Sequence, residues 1–288
     1  NRANSGAGGA LFIDSCEVQL HRVHFFENFA TSNSAVTNRR NISFIIINTT
    51  NTTSSTNATS TQGKSSSSSQ VKTVALEDQR RPKPLVTIDL AGSGGGVAIT
   101  TTATGSVVMM SSSHVHSNSA DSSGGGIFLL SSKLIVDPAA LADTEVMVNN
   151  NTASLGGNIF VESSTLLATR SVGTESGFHF RVEHGSANEF GGGIVCVGST
   201  LDLHLAQFSN NKAGLSGGAL FGVLCLMNSL SSIFENNHVF GVQGGGAMFF
   251  QSLSKIVVDK TTVKNNYAIG AGGGIAAVQC RDFFLSNS

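Results

Sequence analysis

The chain contains no tryptophan, one tyrosine and three prolines, and only 12% of its 288 residues are charged. Its 17 Lys and Arg residues nearly balance 18 Asp and Glu residues, so the formal net charge is −1. A chain without a basic stripe cannot neutralise many phosphates, which argues against nucleic acid as a partner. No apolar run reaches the roughly 18 residues that indicate a transmembrane helix. What the chain does contain in quantity is 33 glycines and 18 phenylalanines.

One glycine phrase recurs eight times: two glycines, a small residue and an aliphatic residue. The glycine pairs are Gly8-Gly9, Gly94-Gly95, Gly124-Gly125, Gly156-Gly157, Gly191-Gly192, Gly217-Gly218, Gly245-Gly246 and Gly272-Gly273. From the second copy onward, successive first glycines are 30, 32, 35, 26, 28 and 27 residues apart. A period in this range predicts a solenoid, with glycine at a corner where a Cβ would not fit.

A second phrase accompanies the first: an apolar residue followed three positions later by asparagine. We assign to it Asn28, Asn118, Asn150, Asn211, Asn237 and Asn266, which follow Phe25, Val115, Met147, Phe208, Phe234 and Val263. We expect the asparagine to occupy a second corner, where it tolerates the left-handed region and satisfies backbone groups. Equivalent asparagines could also form an amide ladder. The apolar residue would fill the interior, so both phrases are structural.

Short alternating runs indicate strands rather than helices. Leu201, Leu203 and Leu205 alternate with polar residues, whereas helical repeats need apolar positions at i, i+3, i+4 and i+7. Each period has room for two or three short strands between Gly, Ser and Asn corners, and three per period is the pattern of a parallel β-helix. We therefore predict an all-β fold, a right-handed single-stranded parallel β-helix of the pectin-lyase-like kind. The prediction covers residues 1–288 as one domain of about nine coils.

One stretch interrupts the period. Residues 49–81 form a low-complexity Ser/Thr/Asn-rich tract, which we predict to be a disordered loop inserted into a coil, with flanking strands at 42–47 and 85–90. Glycosylation is possible at the Asn-x-Ser/Thr sequons of Asn41, Asn48, Asn51 and Asn57, with Asn150 elsewhere. Such a tract also generates sequons by chance.

The two ends suggest a piece of a longer array. Asn1-Arg2-Ala3 matches Asn211-Lys212-Ala213, and Phe284 with Asn287 completes the second phrase at the other end. We expect a fragment, with caps, targeting signals and any membrane anchor outside it.

The four cysteines show no zinc spacing and no C-x-x-C. Cys16, Cys225 and Cys280 each stand eight residues after their motif glycine, whereas Cys196 stands five after its own. Because Cys196 and Cys225 are out of register by this count, we predict free thiols that pack as small apolar residues.

The sequence offers no catalytic, cofactor or metal site that we can nominate. The carboxylates, such as Asp14, Asp202 and Asp259, stand at different distances from their motif glycines, so no pair suits glycoside hydrolysis. His114 and His116 face one side of a strand and could bind a metal, but no third ligand is evident. The glycine runs recur in every period, so they are not nucleotide-binding loops.

The coupled phrases resemble the repeats of chlamydial polymorphic outer membrane proteins, best at Gly8–Leu11 with Phe25/Asn28 and at Phe208/Asn211 with Gly217–Leu220. Several copies depart from the family's Gly-Gly-Ala and Phe-x-x-Asn. The resemblance implies a surface-exposed β-helical passenger that functions in adhesion.

We therefore expect a non-enzymatic scaffold that is extracellular or at the cell surface, in the outer membrane if bacterial. Its expected partner is a host-cell or matrix surface protein or glycan, and it needs no cofactor. The alternatives are a carbohydrate-active pectin-lyase-like enzyme or polysaccharide-binding module, and an ice-binding or purely structural rod.

Overall fold

The computed structural model describes residues 1–4, 8–14, 16–31, 93–101, 105–136, 145–169, 177–252 and 254–288. These residues form short β-strands joined by tight corners, and no helix occurs among them. All of them belong to one compact unit. The all-β prediction is thus confirmed for the described part of the chain. The predicted loop at 49–81, its flanking strands and the sequons at Asn41, Asn48, Asn51 and Asn57 lie outside the described residues.

The strands are two to five residues long. In chain order they begin with β1 (Arg2–Asn4), β2 (Leu11–Asp14), β3 (Glu17–His21), β4 (His24–Phe26), β5 (Phe29–Thr31), β6 (Val97–Thr100), β7 (Val107–Ser111), β8 (His114–His116), β9 (Ser119–Ala120), β10 (Ile127–Leu130), β11 (Lys133–Val136), β12 (Val146–Asn149), β13 (Thr152–Leu155), β14 (Ile159–Glu162), β15 (Thr165–Ala168) and β16 (Phe180–Glu183). They continue with β17 (Ser186–Phe190), β18 (Ile194–Val197), β19 (Thr200–His204), β20 (Ala206–Ser209), β21 (Lys212–Ala213), β22 (Leu220–Val223), β23 (Leu226–Leu230), β24 (Ile233–Glu235), β25 (His238–Val239), β26 (Met248–Gln251), β27 (Lys255–Asp259), β28 (Thr262–Lys264), β29 (Tyr267–Ala268), β30 (Ile275–Val278) and β31 (Asp282–Ser286).

The strands form four parallel sheets that the chain visits in a fixed order. Sheet A contains every fourth strand from β1 to β29, sheet B those from β2 to β30, sheet C those from β3 to β31, and sheet D those from β4 to β28. This stacking supports the predicted parallel β-solenoid. Each pass contributes four strands rather than the predicted three. The difference comes from sheet A, where strands such as Lys212–Ala213 are too short to show alternation in the sequence.

Side chains alternate between the interior and the outer face of each sheet. In β19, Leu201 and Leu203 are fully buried, and they pair with Leu166 and Ala168 of β15. Leu205 does not continue this pattern: it lies after the end of β19 with a φ of 48°, at the corner between sheets C and D. The interior is a continuous apolar stack because equivalent inward positions are in register from pass to pass.

The glycine phrase forms the corner between sheets A and B. All eight first glycines have positive φ, between 61° and 71°. The second glycine lies against the next pass: a Cβ on Gly125 would overlap the backbone of Gly157 and Thr152. The aliphatic residue that follows points inward, as Ile127 does between Val97 and Ile159. These corners let successive passes stack at the strand spacing of about 4.8 Å.

A second apolar cluster covers the opposite face of sheet B. It contains Ala98, Phe128, Leu130, Phe160, Val195, Phe221 and Phe249, all of them buried. The rings of Phe128 and Phe160 stack with centroids 5.5 Å apart, and those of Phe221 and Phe249 with centroids 5.7 Å apart. Leu155 and Phe190, at the ends of sheet A strands, pack against this row. Sheet B is therefore apolar on both faces, as parallel sheets commonly are.

Candidate functional site

Asparagine side chains form a ladder along the corner between sheets D and A. Where two ladder asparagines occupy successive passes, Nδ2 of the first donates to Oδ1 of the second over 2.9 to 3.1 Å. The members of the ladder are Asn1, Asn28, Asn118, Asn151, Asn211, Asn237 and Asn266. The backbone N–H of Asn118 also donates to Oδ1 of Asn151. The ladder thus satisfies buried backbone groups at a corner that has no strand pairing.

The structure corrects the assignment of Asn150. Asn150 is exposed with a φ of 58°, and the ladder member is Asn151, which is fully buried. The matching apolar residue is Val148, which is buried in the interior, whereas Met147 lies on the outer face of sheet D. We had assigned both the left-handed backbone conformation and the amide ladder to one asparagine. In the structure two adjacent residues share these roles: the first has the left-handed conformation and the second joins the ladder, so the prediction was wrong by one residue.

Asn287 is not part of this corner. Phe284 lies in β31 and pairs with Val257 of sheet C, so the predicted Phe284/Asn287 pair belongs to the corner between sheets C and D. Asn287 donates instead to the Asp259 carboxylate over 3.2 Å. Hydrogen bonds from Ser286 and Asn287 hold the pKa of Asp259 below its ordinary value. The sequence pattern matched by chance, because any apolar strand followed by an asparagine satisfies it.

One pass lacks a ladder asparagine, and a residue of the glycine phrase replaces it. Gly185 occupies the ladder position, and its N–H donates to Oδ1 of Asn211. The carboxamide of Asn158 fills the gap: its Oδ1 accepts from Asn151, and its Nδ2 donates to Asn211 over 3.2 Å. Asn158 stands where the other copies of the phrase have glycine or alanine. The two departures from the repeat therefore compensate each other.

A second ladder, of serine hydroxyls, lines the corner between sheets B and C. The N–H of Ser132 donates to Oγ of Ser164, and the N–H of Ser164 donates to Oγ of Ser199. Each of these hydroxyls also donates to the carbonyl two residues before it, as that of Ser164 does to Glu162. Cysteine stands at this ladder position in two passes, where the N–H of Cys16 donates to Oγ of Ser106 and the N–H of Cys225 donates to Oγ of Ser254.

The prediction of four free thiols was wrong for two of them. Cys196 and Cys225 form a disulfide with a Cα–Cα distance of 6.0 Å, and both are buried. Cys196 points inward from β18, and Cys225 lies at the corner that follows the neighbouring strand β22. The two cysteines are therefore close in space although they stand at different distances in sequence from their glycine pairs. Gly222 leaves space beside Cys225 Cβ. Cys16 and Cys280 are free, and burial raises the pKa of the Cys280 thiol.

Several carboxylates on the outer faces have nearby cationic or histidine partners. Glu145 lies 2.8 Å from Nε of Arg181, and burial raises the pKa of this carboxyl despite the attraction of the arginine. Glu235 pairs with Lys264 at 3.1 Å. On sheet C, Asp202 accepts a hydrogen bond from Asn228 and contacts His204 at 3.0 Å. No three His, Cys, Asp or Glu side chains in the described ranges are placed to hold a metal ion.

Histidines and aromatic rings cover the first strands of sheet D. The rings of His24 and His114 stack with centroids 4.9 Å apart, and those of Phe26 and His116 with centroids 5.5 Å apart. Burial, with help from the neighbouring His24 and His116, lowers the pKa of His114. Beside this row is a depression of about 420 Å³ lined by His114, His116, Ser117, Met147, Asn149, Asn150 and His184. Sequence reasoning found the histidine pair but missed the side chains that complete the depression.

An apolar patch is exposed where sheet A meets the glycine corner. It consists of Leu215, Phe240, Val242, Tyr267 and Ile269, with exposed fractions of 38%, 57%, 80%, 52% and 58%. Phe240 and Ile269 follow paired strands and occupy equivalent places on successive passes. Gly241 packs against the backbone of Leu215, and Gly270 against that of Val242, so these members lie on adjacent passes. The sequence offered no signal for it, since four members lie in loops and Tyr267 begins a strand of only two residues.

No protein-family model, curated protein or solved structure matches this chain significantly. Within the described residues, no helix is both long enough and apolar enough to cross a membrane.

Proposed function

We propose that this chain is a non-enzymatic, adhesin-like β-helical scaffold, secreted or held at the cell surface, and in the outer membrane if the source is bacterial. In this proposal the four sheets close into a right-handed, single-stranded, pectin-lyase-like β-helix of about nine coils. The repeat resemblance to polymorphic outer membrane proteins supports the same assignment. The scaffold supplies long outer faces on which individual residues provide binding.

The buried Cys196–Cys225 disulfide supports an extracellular location. Disulfides persist in secreted and cell-surface proteins and are rare in the reducing cytosol. The sulfur atoms lie inside the stack, where a reductant has little access. This is independent of the sequons, of which Asn150 is exposed in the described part of the chain.

The apolar patch is the observation that carries the adhesive function. Its five members are uncharged, and two exposed residues of opposite charge, Glu189 and Lys212, lie on neighbouring strands of sheet A. An apolar centre rich in aromatic residues with a polar rim is the anatomy of a protein–protein interface. A rim with one charge of each sign has no excess of cations for an anionic membrane. We therefore propose a host-cell or matrix surface protein as the partner.

The alternative of a carbohydrate-active enzyme requires carboxylates that converge on a groove. Glu145, Glu235 and Asp202 instead have partners of their own at separate places on sheets D and C. These ion pairs therefore lend no support to that alternative.

A binding experiment with matched variants tests the proposal. We expect the full chain to bind at least one matrix or cell-surface protein in an immobilised panel, and Val242→Asp to weaken that binding at least about tenfold, as charge in an interface centre does. Because Val242 is 80% exposed, the variant should fold normally. Leu224→Asp is the control, since Leu224 is 55% exposed at the corner between sheets B and C.

Three results would count against the proposal. Folded protein that binds no member of the panel would contradict adhesion. An equal loss of affinity in Val242→Asp and Leu224→Asp would contradict the assignment of the apolar patch as the binding surface. Binding only to a parallel glycan array would replace the protein partner by a glycan.

A further inference from the structure

Four side chains with metal-binding chemistry line the depression on sheet D: three histidines and one methionine. His184 lies at the corner after β16, and the three histidines are not placed to hold one ion together. The other three side chains lie on two paired strands. His114 and His116 are two residues apart on β8, so both imidazoles lie on its outer face. Met147 is the direct neighbour of His114 on β12, and its thioether lines the same depression of about 420 Å³. The arrangement therefore supplies two nitrogen donors and one sulfur donor around an accessible space.

Surrounding residues hold the two imidazoles in place. The rings of His24 and Phe26 stack against His114 and His116 from the preceding strand. One ring nitrogen of His116 lies 3.3 Å from the Ser117 hydroxyl, which leaves the other nitrogen available. Such contacts to the outer nitrogen orient ligand imidazoles in known metal sites. These contacts restrict the two rings, which line the open depression together with Met147.

The thioether is also fixed. Asn149 donates from Nδ2 to Sδ of Met147 over 3.0 Å, which holds the sulfur at the wall of the depression and leaves a lone pair on it. No carboxylate lines this space, so hard ions such as Ca²⁺ and Mg²⁺ have no suitable ligands. Imidazole with a soft thioether is the donor combination that favours copper, and the thioether selects its monovalent state.

We propose that His114, His116 and Met147 form a binding site for monovalent copper on the outer face of sheet D. The site is separate from the apolar patch and does not depend on the adhesive function. The sequence alone could not nominate the site, because Met147 follows His114 by 33 positions and only the strand register makes them neighbours.

The test uses the full chain with its free thiols removed. Cys16 and Cys280 are unpaired and would themselves bind copper, so Cys16→Ser/Cys280→Ser is the parent; the buried disulfide remains. Cu(I), kept reduced with ascorbate, is titrated against a chromophoric competitor. We expect one equivalent to bind. His114→Ala, His116→Ala and Met147→Leu should each weaken binding at least about tenfold, because even the loss of a ligand's outer partner costs about 10–100-fold.

Two variants of matched chemistry serve as controls. His204→Ala removes an outward histidine of sheet C, and Met109→Leu removes an outward, half-buried methionine; neither should change the affinity. X-ray absorption should show a sulfur neighbour of copper that Met147→Leu removes and Met109→Leu does not. The proposal is overturned if the parent fails to bind one equivalent, if His114→Ala/His116→Ala binds as tightly as the parent, or if Met147→Leu keeps full affinity.

Discussion

Replacing Asn158 with alanine should lower the free energy of unfolding by about 3 to 5 kcal/mol, because it removes the four hydrogen bonds of a buried carboxamide at about 0.5–1.5 kcal/mol each. The N–H of Asn151 loses its acceptor. Nδ2 of Asn151 loses one of its two acceptors and keeps the carbonyl of Val115. The carbonyl of Glu183 loses one of its two donors and keeps the N–H of Asn150. The backbone itself should tolerate alanine, since Ala219 and Ala247 occupy the same place in later copies of the phrase. Chemical unfolding followed by circular dichroism measures the effect.

A double-mutant cycle distinguishes ladder repair from ordinary core packing. Gly185→Asn alone should be strongly destabilising, because its Cβ would lie 2.5 Å from Nδ2 of Asn158 and would overlap the Gly192 carbonyl. Asn158→Gly/Gly185→Asn should be less destabilised than the sum of the two single variants, since one amide is exchanged for the other. The double variant should still be less stable than the parent, because the Cβ at position 185 would still overlap the carbonyl of Gly192.

The outward, half-buried Asn149 provides the control, and Asn149→Ala should change stability by less than about 0.5 kcal/mol, as surface substitutions usually do. Strict additivity in the cycle would contradict the compensation. An Asn158→Ala variant that is as stable as Asn149→Ala would also contradict the proposed compensation.

Removal of the disulfide by Cys196→Ala/Cys225→Ala should cost about 3 to 4 kcal/mol. The cross-link closes a loop with a sequence separation of 29 residues, and the chain-entropy model gives a loss of this size for the unfolded state. The two positions are also buried, so the removed sulfurs leave small cavities. Denaturant unfolding of the oxidised parent and the double variant measures the difference.

A serine variant separates the cross-link from the ladder that it interrupts. Cys196→Ala/Cys225→Ser should be more stable than the double alanine variant, because a hydroxyl at position 225 can accept from the N–H of Ser199, as Ser199 does from Ser164. Cys16→Ser/Cys280→Ser should be nearly neutral, since both thiols are unpaired. Equal stability of oxidised and thiol-treated parent, with the disulfide shown by mass spectrometry to be reduced, would contradict the prediction.

The repeat phrases predicted the architecture because they record local backbone requirements. A positive φ at Gly124 and a close approach at Gly125 recur wherever the chain turns from sheet A to sheet B, so the period was readable without a structure. The interior aliphatic rows follow from the same period. Sheet A was missed because two-residue strands carry no alternation, and Asn150 was assigned in place of Asn151 because adjacent asparagines have different tasks.

By itself, the sequence determined that the described chain is built from stacked short strands with glycine and asparagine corners, since those corners need particular residue types. Only the tertiary structure decided which side chains meet across passes. The corners contain different numbers of residues. The spacing between two residues along the sequence therefore does not predict whether they are paired in neighbouring strands. For that reason the Cys196–Cys225 bond, the substitution of Asn158 for a ladder asparagine at Gly185, and the meeting of Met147 with His114 became visible only in the fold.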